Sequence, residues 1–249
     1  MKTIFATAFL LLSAFSLPQK RKMKVWLIGD STMANKEVSA YPETGWGMPF
    51  SYFFDSTVEV DNRAKNGRST KSFMAEGLWK PVVDNLQEGD YVLIQFGHND
   101  EVKTKATYTT EDEFQKNLER YVNETRSKKA IPILITPVAR RKFDSSGRLE
   151  DTHEVYSNLV RNVASKVHAP LIDLDKKSQD LLRQYGPDAS KYLFNYLDAG
   201  EHPNYPEGKK DDTHFSELGA RKMAELVLAE IKFMGLDLAA RIVHPTIKK

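Results

Sequence analysis

The sequence of 249 residues contains no cysteine. This absence excludes a thiolate nucleophile, a cysteine-ligated metal and any disulfide, so an exported form would depend on its hydrophobic core for stability. Net charge is also scarce, because 36 lysines and arginines stand against 34 aspartates and glutamates, a formal charge of +2. A charge so close to zero produces no field that would attract nucleic acid, and we expect no nucleic-acid partner.

The sequence also lacks an apolar run long enough to span a membrane. The run Ile4 to Phe15 is about 12 residues long, whereas a transmembrane helix needs roughly 20. With Lys2 before it and small residues at Ala14 and Ser16, the pattern over residues 1–16 is typical of a secretory signal peptide. We therefore expect an exported protein, periplasmic or extracellular, with no membrane association after the signal is removed. A lipid anchor is excluded because no cysteine follows the run.

The predicted domain, residues 23–249, is long enough for one sizeable core and too short for two domains. Short β-rich runs alternate with longer amphipathic runs, and no internal repeat interrupts them. The predicted strands are Val25–Ile28, Val58–Val60, Tyr91–Phe96, Ile131–Ile135 and Leu171–Ile172, and the clearest predicted helices are about Glu111–Lys128, Glu150–Val167 and Ser216–Met234. This alternation predicts a single three-layer α/β/α domain with about five parallel strands, in which a ligand binds beyond the carboxyl ends of the strands.

Unusual polar segments follow three of the predicted strands, and a fourth precedes the last predicted helix. They are residues 29–32 (Gly-Asp-Ser-Thr), 64–70 (Ala-Lys-Asn-Gly-Arg-Ser-Thr), 97–100 (Gly-His-Asn-Asp) and 211–214 (Asp-Asp-Thr-His). Each segment alone is also compatible with an ordinary turn or a helix entry. Their placement together at one edge of the sheet favours an active site.

The residues needed to activate a serine hydroxyl occur in these segments. A serine needs a base to take its proton, and the base works best when a carboxylate orients its ring and stabilises the imidazolium. We predict Ser31 as nucleophile, His214 as general base and Asp211 as the carboxylate. Asp211 is preferred to its neighbour Asp212 because a tight loop with the Asp211 to His214 spacing would let the acid reach the other ring nitrogen, and spacing alone does not settle this choice.

Donors for an oxyanion are also available. Attack on an ester carbonyl creates negative charge on oxygen, which preorganised N–H groups stabilise. The candidates are the backbone N–H of Ser31, the backbone N–H of Gly67, where the missing side chain would permit close approach, and the side-chain amide of Asn99. With these donors no metal or cofactor is expected.

The four polar segments resemble the sequence blocks of the SGNH (GDSL-type) hydrolases, whose Ser, Gly, Asn and His correspond here to Ser31, Gly67, Asn99 and His214. Together with Gly45-Trp46-Gly47, they are similar to the rhamnogalacturonan acetylesterase branch of that family. The resemblance implies the flavodoxin-like SGNH hydrolase fold and removal of O-acetyl groups from pectin. The expected substrate is thus an acetylated acidic polysaccharide or oligosaccharide, and acetylated xylan or acetylated sialic acid remain alternatives. The oligomeric state is not predicted.

An anionic substrate would be held by cations near the catalytic serine. The candidate substrate-binding residues are Arg68, Arg140, Arg141, His202 and Asn204. Aromatic side chains that could stack on sugars are Trp46, Trp79, Tyr196 and Tyr205, although such residues more often pack in a core.

Two other functions are compatible with parts of the pattern. A metallophosphoesterase would use the same aspartates and histidines as ligands, but only six histidines are present and most lack a partner at suitable spacing. A non-catalytic carbohydrate-binding protein could share the fold, although it would leave a complete set of catalytic residues unused.

Overall fold

Five parallel strands form the central sheet of the protein, which we describe from a computed structural model covering residues 21–243. The strands are β1 (Met23–Gly29), β2 (Val58–Asn62), β3 (Tyr91–Gln95), β4 (Ile131–Ile135) and β5 (Leu171–Ile172), and their order across the sheet is β2-β1-β3-β4-β5. All five predicted strands are confirmed. The predicted signal peptide, residues 1–16, and the last residues of the predicted domain, 244–249, lie outside the described residues.

Both faces of the sheet are covered. Along β1, Val25 and Leu27 belong to one hydrophobic cluster, whereas Trp26 and Ile28 belong to a second cluster on the other face. Side chains of a strand alternate between faces, so an unbroken apolar run is the pattern of a strand buried on both sides. The predicted three-layer α/β/α architecture is therefore confirmed.

Seven α-helices surround the sheet within residues 21–243. They are α1 (Gly47–Phe50), α2 (Thr70–Ala75), α3 (Lys80–Asn85), α4 (Glu111–Ser127), α5 (Glu154–Lys166), α6 (Leu174–Ala189) and α7 (Glu217–Phe233). Helices α4 and α5 cover one face and α6 and α7 the other. The sequence prediction missed α6, which Gly186 and Pro187 interrupt near its end with a non-helical backbone at Gly186. None of these seven helices combines the length and the apolar character that crossing a bilayer requires.

A two-stranded antiparallel sheet carries the last polar segment. Its strands are β6 (Phe194–Leu197) and β7 (Lys209–Phe215), so residues 211–214, predicted as a tight loop, lie within a strand whose pairing with β6 has a register shift. At its end, Phe215 pairs with Phe194, and the two buried rings contact each other with centroids 5.3 Å apart. Ser216 then caps α7 by accepting a hydrogen bond of 3.2 Å from the backbone of Gly219.

The strand order decides where the polar segments meet. After β1 the chain crosses to β2 on one side, while β3 pairs with the other side of β1. The loops that follow β1 and β3 therefore diverge and leave a crevice, the usual ligand site of this strand order. Ser31 lies in the first of these loops and Asn99 in the second.

Candidate active site

Ser31, His214 and Asp211 form a continuous hydrogen-bonded chain. The Oγ of Ser31 lies 2.8 Å from Nε2 of His214, and Nδ1 of the same ring lies 2.9 Å from Oδ2 of Asp211. Because a carboxylate only accepts, Nδ1 carries the proton and Nε2 is left to accept from the serine hydroxyl. The structure therefore brings together residues 183 positions apart in the geometry that proton removal from a serine requires.

Asp211 is held in its charged form. Partial burial opposes ionisation, but hydrogen bonds from the His214 side chain and from the backbone N–H groups of His214 and Thr213 outweigh it and lower the pKa of Asp211. The two backbone bonds, of 3.0 and 2.8 Å, end on Oδ1 and leave Oδ2 for the imidazole. An ionised carboxylate in this position stabilises the imidazolium that forms when the histidine takes a proton.

The side chain of Asp212 is directed away from His214. Its Oδ1 accepts hydrogen bonds of 2.6 Å from Nη1 of Arg141 and 2.6 Å from the hydroxyl of Tyr196. The choice between the two aspartates, which spacing left open, is thereby decided in favour of Asp211 as the partner of His214.

The predicted oxyanion donors lie in loops that contact one another. The Nδ2 of Asn99 donates a hydrogen bond of 3.1 Å to the backbone carbonyl of Arg68, which leaves its second N–H available. The Oδ1 of the same amide accepts a bond of 3.2 Å from Lys105, so the orientation of the amide is determined. Within residues 21–243, neither the backbone N–H of Ser31 nor that of Gly67 donates to an acceptor.

The backbone conformation at position 67 favours glycine. A Cβ built there would have no atom within 4 Å, so no protein contact forbids a side chain. The backbone φ of +78° is the constraint, because L residues with a Cβ rarely adopt it. This conformation turns the chain between Asn66 and Arg68.

Two buried aspartates support the loops of the site. Oδ1 of Asp30 accepts bonds of 2.9 and 2.8 Å from the backbone N–H and hydroxyl of Thr32, and Oδ1 of Asp100 accepts 2.9 and 2.6 Å bonds from the same groups of Thr70. Burial raises the pKa of Asp30, and it raises the pKa of Asp100 to about 7. Asp100 therefore ties the loop after β3 to the start of α2.

A buried polar chain beneath the nucleophile loop was not anticipated. Trp46 donates from its indole N–H to the side chain of Gln95 at 2.6 Å, and Gln95 donates to the hydroxyl of Thr32 at 2.7 Å. A Cβ on Gly45 would lie 2.0 Å from the carbonyl oxygen of Ala34, so the Gly-Trp-Gly segment packs directly against the loop. Trp46 is fully buried and does not stack on sugars, and the nearly buried Trp79 does not either.

Comparison with known proteins adds to this geometry. The sequence model of the GDSL-like lipase/acylhydrolase family matches residues 27–222 of the chain. The protein belongs to that family. Its carboxylic ester hydrolase chemistry, predicted from the sequence blocks, is thereby confirmed.

Similar GDSL-like proteins include two from Bacillus subtilis (strain 168). The rhamnogalacturonan acetylesterase RhgT is 42% identical over 226 residues, which are 90% of this chain and 96% of that protein. The probable rhamnogalacturonan acetylesterase YesY is 34% identical over 221 residues, which are 88% of this chain and 97% of that protein. The crystal structure of the B. subtilis protein YxiM has a TM-score of 0.75 and 26% identity, covering 87% of this chain and 58% of that one. The predicted resemblance to the acetylesterase branch is therefore confirmed.

In this GDSL-like hydrolase, Arg141 is not placed to bind a substrate. It is 9% exposed, and its guanidinium donates to Ser190, Tyr196, Asp212 and the backbone carbonyl of Pro187. These partners occupy the donors that a substrate carboxylate would need, so the prediction for Arg141 was wrong. The side chain instead joins β7 to the end of α6 and the segment after it.

Arg68 and Asn204 also use their donors within the protein. Arg68 donates to Oε2 of Glu76 at 3.0 and 2.7 Å and to the backbone carbonyl of Asn66 at 2.8 Å. That carbonyl shares a peptide plane with the N–H of Gly67, so the bond fixes the direction of the predicted oxyanion donor. Asn204 donates its amide hydrogens to the carbonyls of Val38 and Tyr41, at 2.7 and 2.9 Å. Arg68 is part of the loop scaffold and Asn204 joins two surface loops.

Arg140 and His202 remain candidates for contact with substrate. Arg140 donates to the hydroxyl of Thr213 at 2.6 Å, next to the histidine of the triad, and its side chain is 27% exposed. His202 lines a surface groove of about 380 Å³ together with Tyr41 and Tyr52. Nη2 of Arg140 also lies 3.5 Å from Oε1 of Glu101 and donates to the backbone carbonyl of His98 at 3.4 Å. The roles of Arg140 and His202 in substrate binding stay predictions.

The sequence reasoning missed two residues of this GDSL-like site, Lys36 and Glu43. Their side chains form an ion pair of 2.7 Å. A carboxylate oxygen of Glu43 also lies within 4.8 Å of a carboxylate oxygen of Asp211 and of a ring nitrogen of His214. No local motif predicts a role for these residues, because their ion pair forms only when the segment that follows β1 folds back and brings the two side chains together.

Proposed function

We propose that this hydrolase removes acetyl groups from acetylated rhamnogalacturonan, with Ser31 as nucleophile, His214 as general base and Asp211 as the orienting carboxylate. The chain of hydrogen bonds from Ser31 through His214 to Asp211 is the observation that carries the proposal. The substrate follows from the identity of 42% to RhgT across nearly the full length of both proteins.

The first half of the reaction acylates the serine. His214 takes the hydroxyl proton through Nε2 as Oγ of Ser31 attacks the acetyl carbonyl carbon. The carbonyl oxygen becomes an oxyanion, which accepts hydrogen bonds from the backbone N–H groups of Ser31 and Gly67 and from the free N–H of Asn99. When the tetrahedral intermediate collapses, the bond to the sugar oxygen breaks and His214 returns the proton to that oxygen. The products of this half are the deacetylated sugar and acetyl-Ser31.

The second half repeats the chemistry with water. His214 deprotonates a water molecule, which attacks the acetyl carbonyl, and the same donors stabilise the second oxyanion. Collapse releases acetate and returns the proton to Oγ of Ser31. Both steps use one base, one carboxylate and three N–H donors, all supplied by this chain.

We also propose that Arg140 binds a uronate carboxylate and that the protein is exported. Arg140 is partly exposed beside the segment that carries the catalytic histidine, and a guanidinium matches the two oxygens of a carboxylate.

The proposal of export rests on the signal-like pattern at residues 1–16. It is tested by sequencing the amino terminus of protein recovered from the medium or periplasm.

The decisive test measures acetate release from acetylated rhamnogalacturonan, acetylated xylan and acetylated sialic acid, by wild type and by Ser31→Ala. We expect a preference for the first substrate, abolished turnover in the variant and an unchanged circular dichroism spectrum. Near-normal turnover by Ser31→Ala would refute the mechanism, and a strong preference for xylan would refute the substrate. Loss of activity in a chelator, restored by Mn²⁺ or Zn²⁺, would favour the metal-dependent alternative, and binding without acetate release from any substrate would favour the non-catalytic one.

A further inference from the structure

The ammonium group of Lys36 is buried between the two loops of the site. Its side chain is 0% exposed. The Nζ donates to the backbone carbonyl of Ser31 at 2.6 Å and to Oδ1 of Asn66 at 3.1 Å, and it contacts Oε1 of Glu43 at 2.7 Å. An ammonium group has three N–H donors, and each of them therefore has an acceptor.

These contacts join the parts of the site that must cooperate. Ser31 supplies the nucleophile, and Asn66 precedes the glycine whose N–H is the second oxyanion donor. Within one peptide unit, the carbonyl of Asn66 and the N–H of Gly67 lie in the same plane. Arg68 donates to that carbonyl at 2.8 Å and Lys36 donates to the Asn66 side chain at 3.1 Å, so Asn66 is held at both its backbone and its side chain.

Glu43 makes this burial of Lys36 feasible. A buried ammonium without a counter-ion would be destabilised by the loss of its hydration. The carboxylate of Glu43, with a side chain 12% exposed, supplies the opposite charge. Without Lys36, the carboxylate of Glu43 would be an uncompensated negative charge within 4.8 Å of the Asp211 carboxylate and the His214 ring.

We infer that Lys36 is a positioning residue that sets the distance between the nucleophile loop and the Asn66–Gly67 peptide unit, with Glu43 as its counter-ion. The inference rests on the proposed function, because it concerns the geometry of the oxyanion donors. Lys36 touches neither substrate nor the reacting atoms. It acts because the donors stabilise the transition state only when they converge on the oxyanion, and a displacement of about 1 Å can cost roughly 100-fold in rate.

The test compares four variants on 4-nitrophenyl acetate and on acetylated rhamnogalacturonan, with thermal unfolding measured for each. Lys36→Met removes the three donors at similar length. Lys36→Met combined with Glu43→Gln removes both charges, so no carboxylate is left unpaired if the single variant folds poorly. Lys24→Met is the matched control, because Lys24 pairs with Glu59 at 3.1 Å and Asp61 at 3.2 Å and lies on β1 well before the nucleophile loop. Ser31→Ala tests the proposed function itself.

We expect both Lys36 variants to lower kcat and kcat/KM equally, by about 10- to 100-fold, with KM within about twofold of wild type. An equal loss in both parameters indicates an interaction made only in the transition state, which a purely structural role would not produce. Lys24→Met should leave kcat unchanged.

Two results would overturn the inference. One is kcat within about threefold of wild type in folded Lys36→Met. The other is recovery of wild-type kcat in the charge-neutral double variant, which would assign the loss to the unpaired Glu43 and not to the missing contacts. If Ser31→Ala is inactive in the same assays, the proposed function stands whatever the Lys36 variants do. If Ser31→Ala is active, the proposed function itself fails.

Discussion

The Nη1 of Arg141 donates a hydrogen bond of 2.6 Å to Oδ1 of Asp212. This contact holds one of two adjacent aspartates away from the imidazole. Asp211, the other, faces His214 because its Oδ1 accepts backbone hydrogen bonds from Thr213 and His214, which leaves Oδ2 for Nδ1 of the imidazole. Two consecutive acids of identical chemistry thus take different roles, one orienting the catalytic histidine and one in an internal ion pair.

Exchange of each acid for its amide should separate these roles. Asp211→Asn should lower kcat by about 10²- to 10⁴-fold, because an amide neither stabilises the imidazolium nor enforces the same tautomer of His214. Asp212→Asn should keep kcat within a few-fold of wild type and lower the melting temperature, since Arg141 loses its counter-ion. Steady-state kinetics with an aryl acetate and thermal unfolding by circular dichroism check both. Equal kinetic losses in the two variants would contradict the assignment.

Truncation of the amide of Asn99 should act on the transition state alone. Asn99→Ala should reduce kcat by about 10²- to 10³-fold with little change in KM, because the oxyanion forms only after attack. Kinetics with 4-nitrophenyl acetate measure both parameters. A variant in which KM rises while kcat stays constant would place Asn99 in ground-state binding instead.

The positive φ of Gly67 predicts a strain effect that can be separated from catalysis. Gly67→Ala and Gly89→Ala should each lose about 1 kcal/mol of stability, since φ is +78° at the first position and +84° at the second and neither has an atom within 4 Å of the added Cβ. Only Gly67→Ala should also lower kcat, because its peptide carries an oxyanion donor. Urea unfolding and kinetics of both variants test this, and a similar kcat in both would argue against a catalytic role for the Gly67 N–H.

Asp100 should make the protein less stable as the pH rises. Burial raises the pKa of its carboxyl to about 7 from an ordinary value of 3.8, against the opposing hydrogen bonds from Thr70. Between about pH 4 and 7 the folded protein keeps a proton that the unfolded chain releases, so this contribution to the free energy of unfolding falls with increasing pH and levels off above 7. The lowered pKa of Asp211 acts in the opposite direction, but below about pH 4.

Asp100→Asn isolates the effect, since the amide oxygen can still accept from Thr70 and does not titrate. We expect the variant to gain stability relative to wild type at pH 8 and to gain less at pH 4.5, measured by urea unfolding at both values. Asp30, whose pKa is also raised by burial, contributes in the same direction and is still present in this variant. A difference between variant and wild type that is independent of pH would show that the carboxyl of Asp100 does not titrate in this range.

The neighbouring arginines 140 and 141 should respond differently to replacement by methionine. Arg141→Met should lower the free energy of unfolding by about 2 kcal/mol or more, because a buried guanidinium with four partners is lost. Arg140→Met should raise KM for acetylated rhamnogalacturonan and leave KM for a neutral aryl acetate unchanged. An equal change for both substrates would mean that Arg140 supports the His214 segment and does not bind the uronate.

Much of the fold and the site was determined by local sequence. The five strands were predictable because unbroken β-branched and aliphatic runs have few other ways to bury themselves, and Ser31, Gly67, Asn99 and His214 stand in short polar blocks with recognisable chemistry. Strand ends set the positions of three of these blocks at one edge of a parallel sheet. The nucleophile, the base and the oxyanion donors could therefore be assigned before any contact was known.

Only the tertiary structure decided which role each of two identical neighbouring residues takes. Asp211 and Asp212 are chemically identical, as are Arg140 and Arg141, and partners distant in sequence assign each of them. Burial of Lys36, pairing of Asp212 with Arg141 and the extended backbone at residues 209–215 all depend on contacts between segments far apart in the chain. Local sequence carries little information about such contacts, because they form and stabilise the protein only after distant loops have packed together.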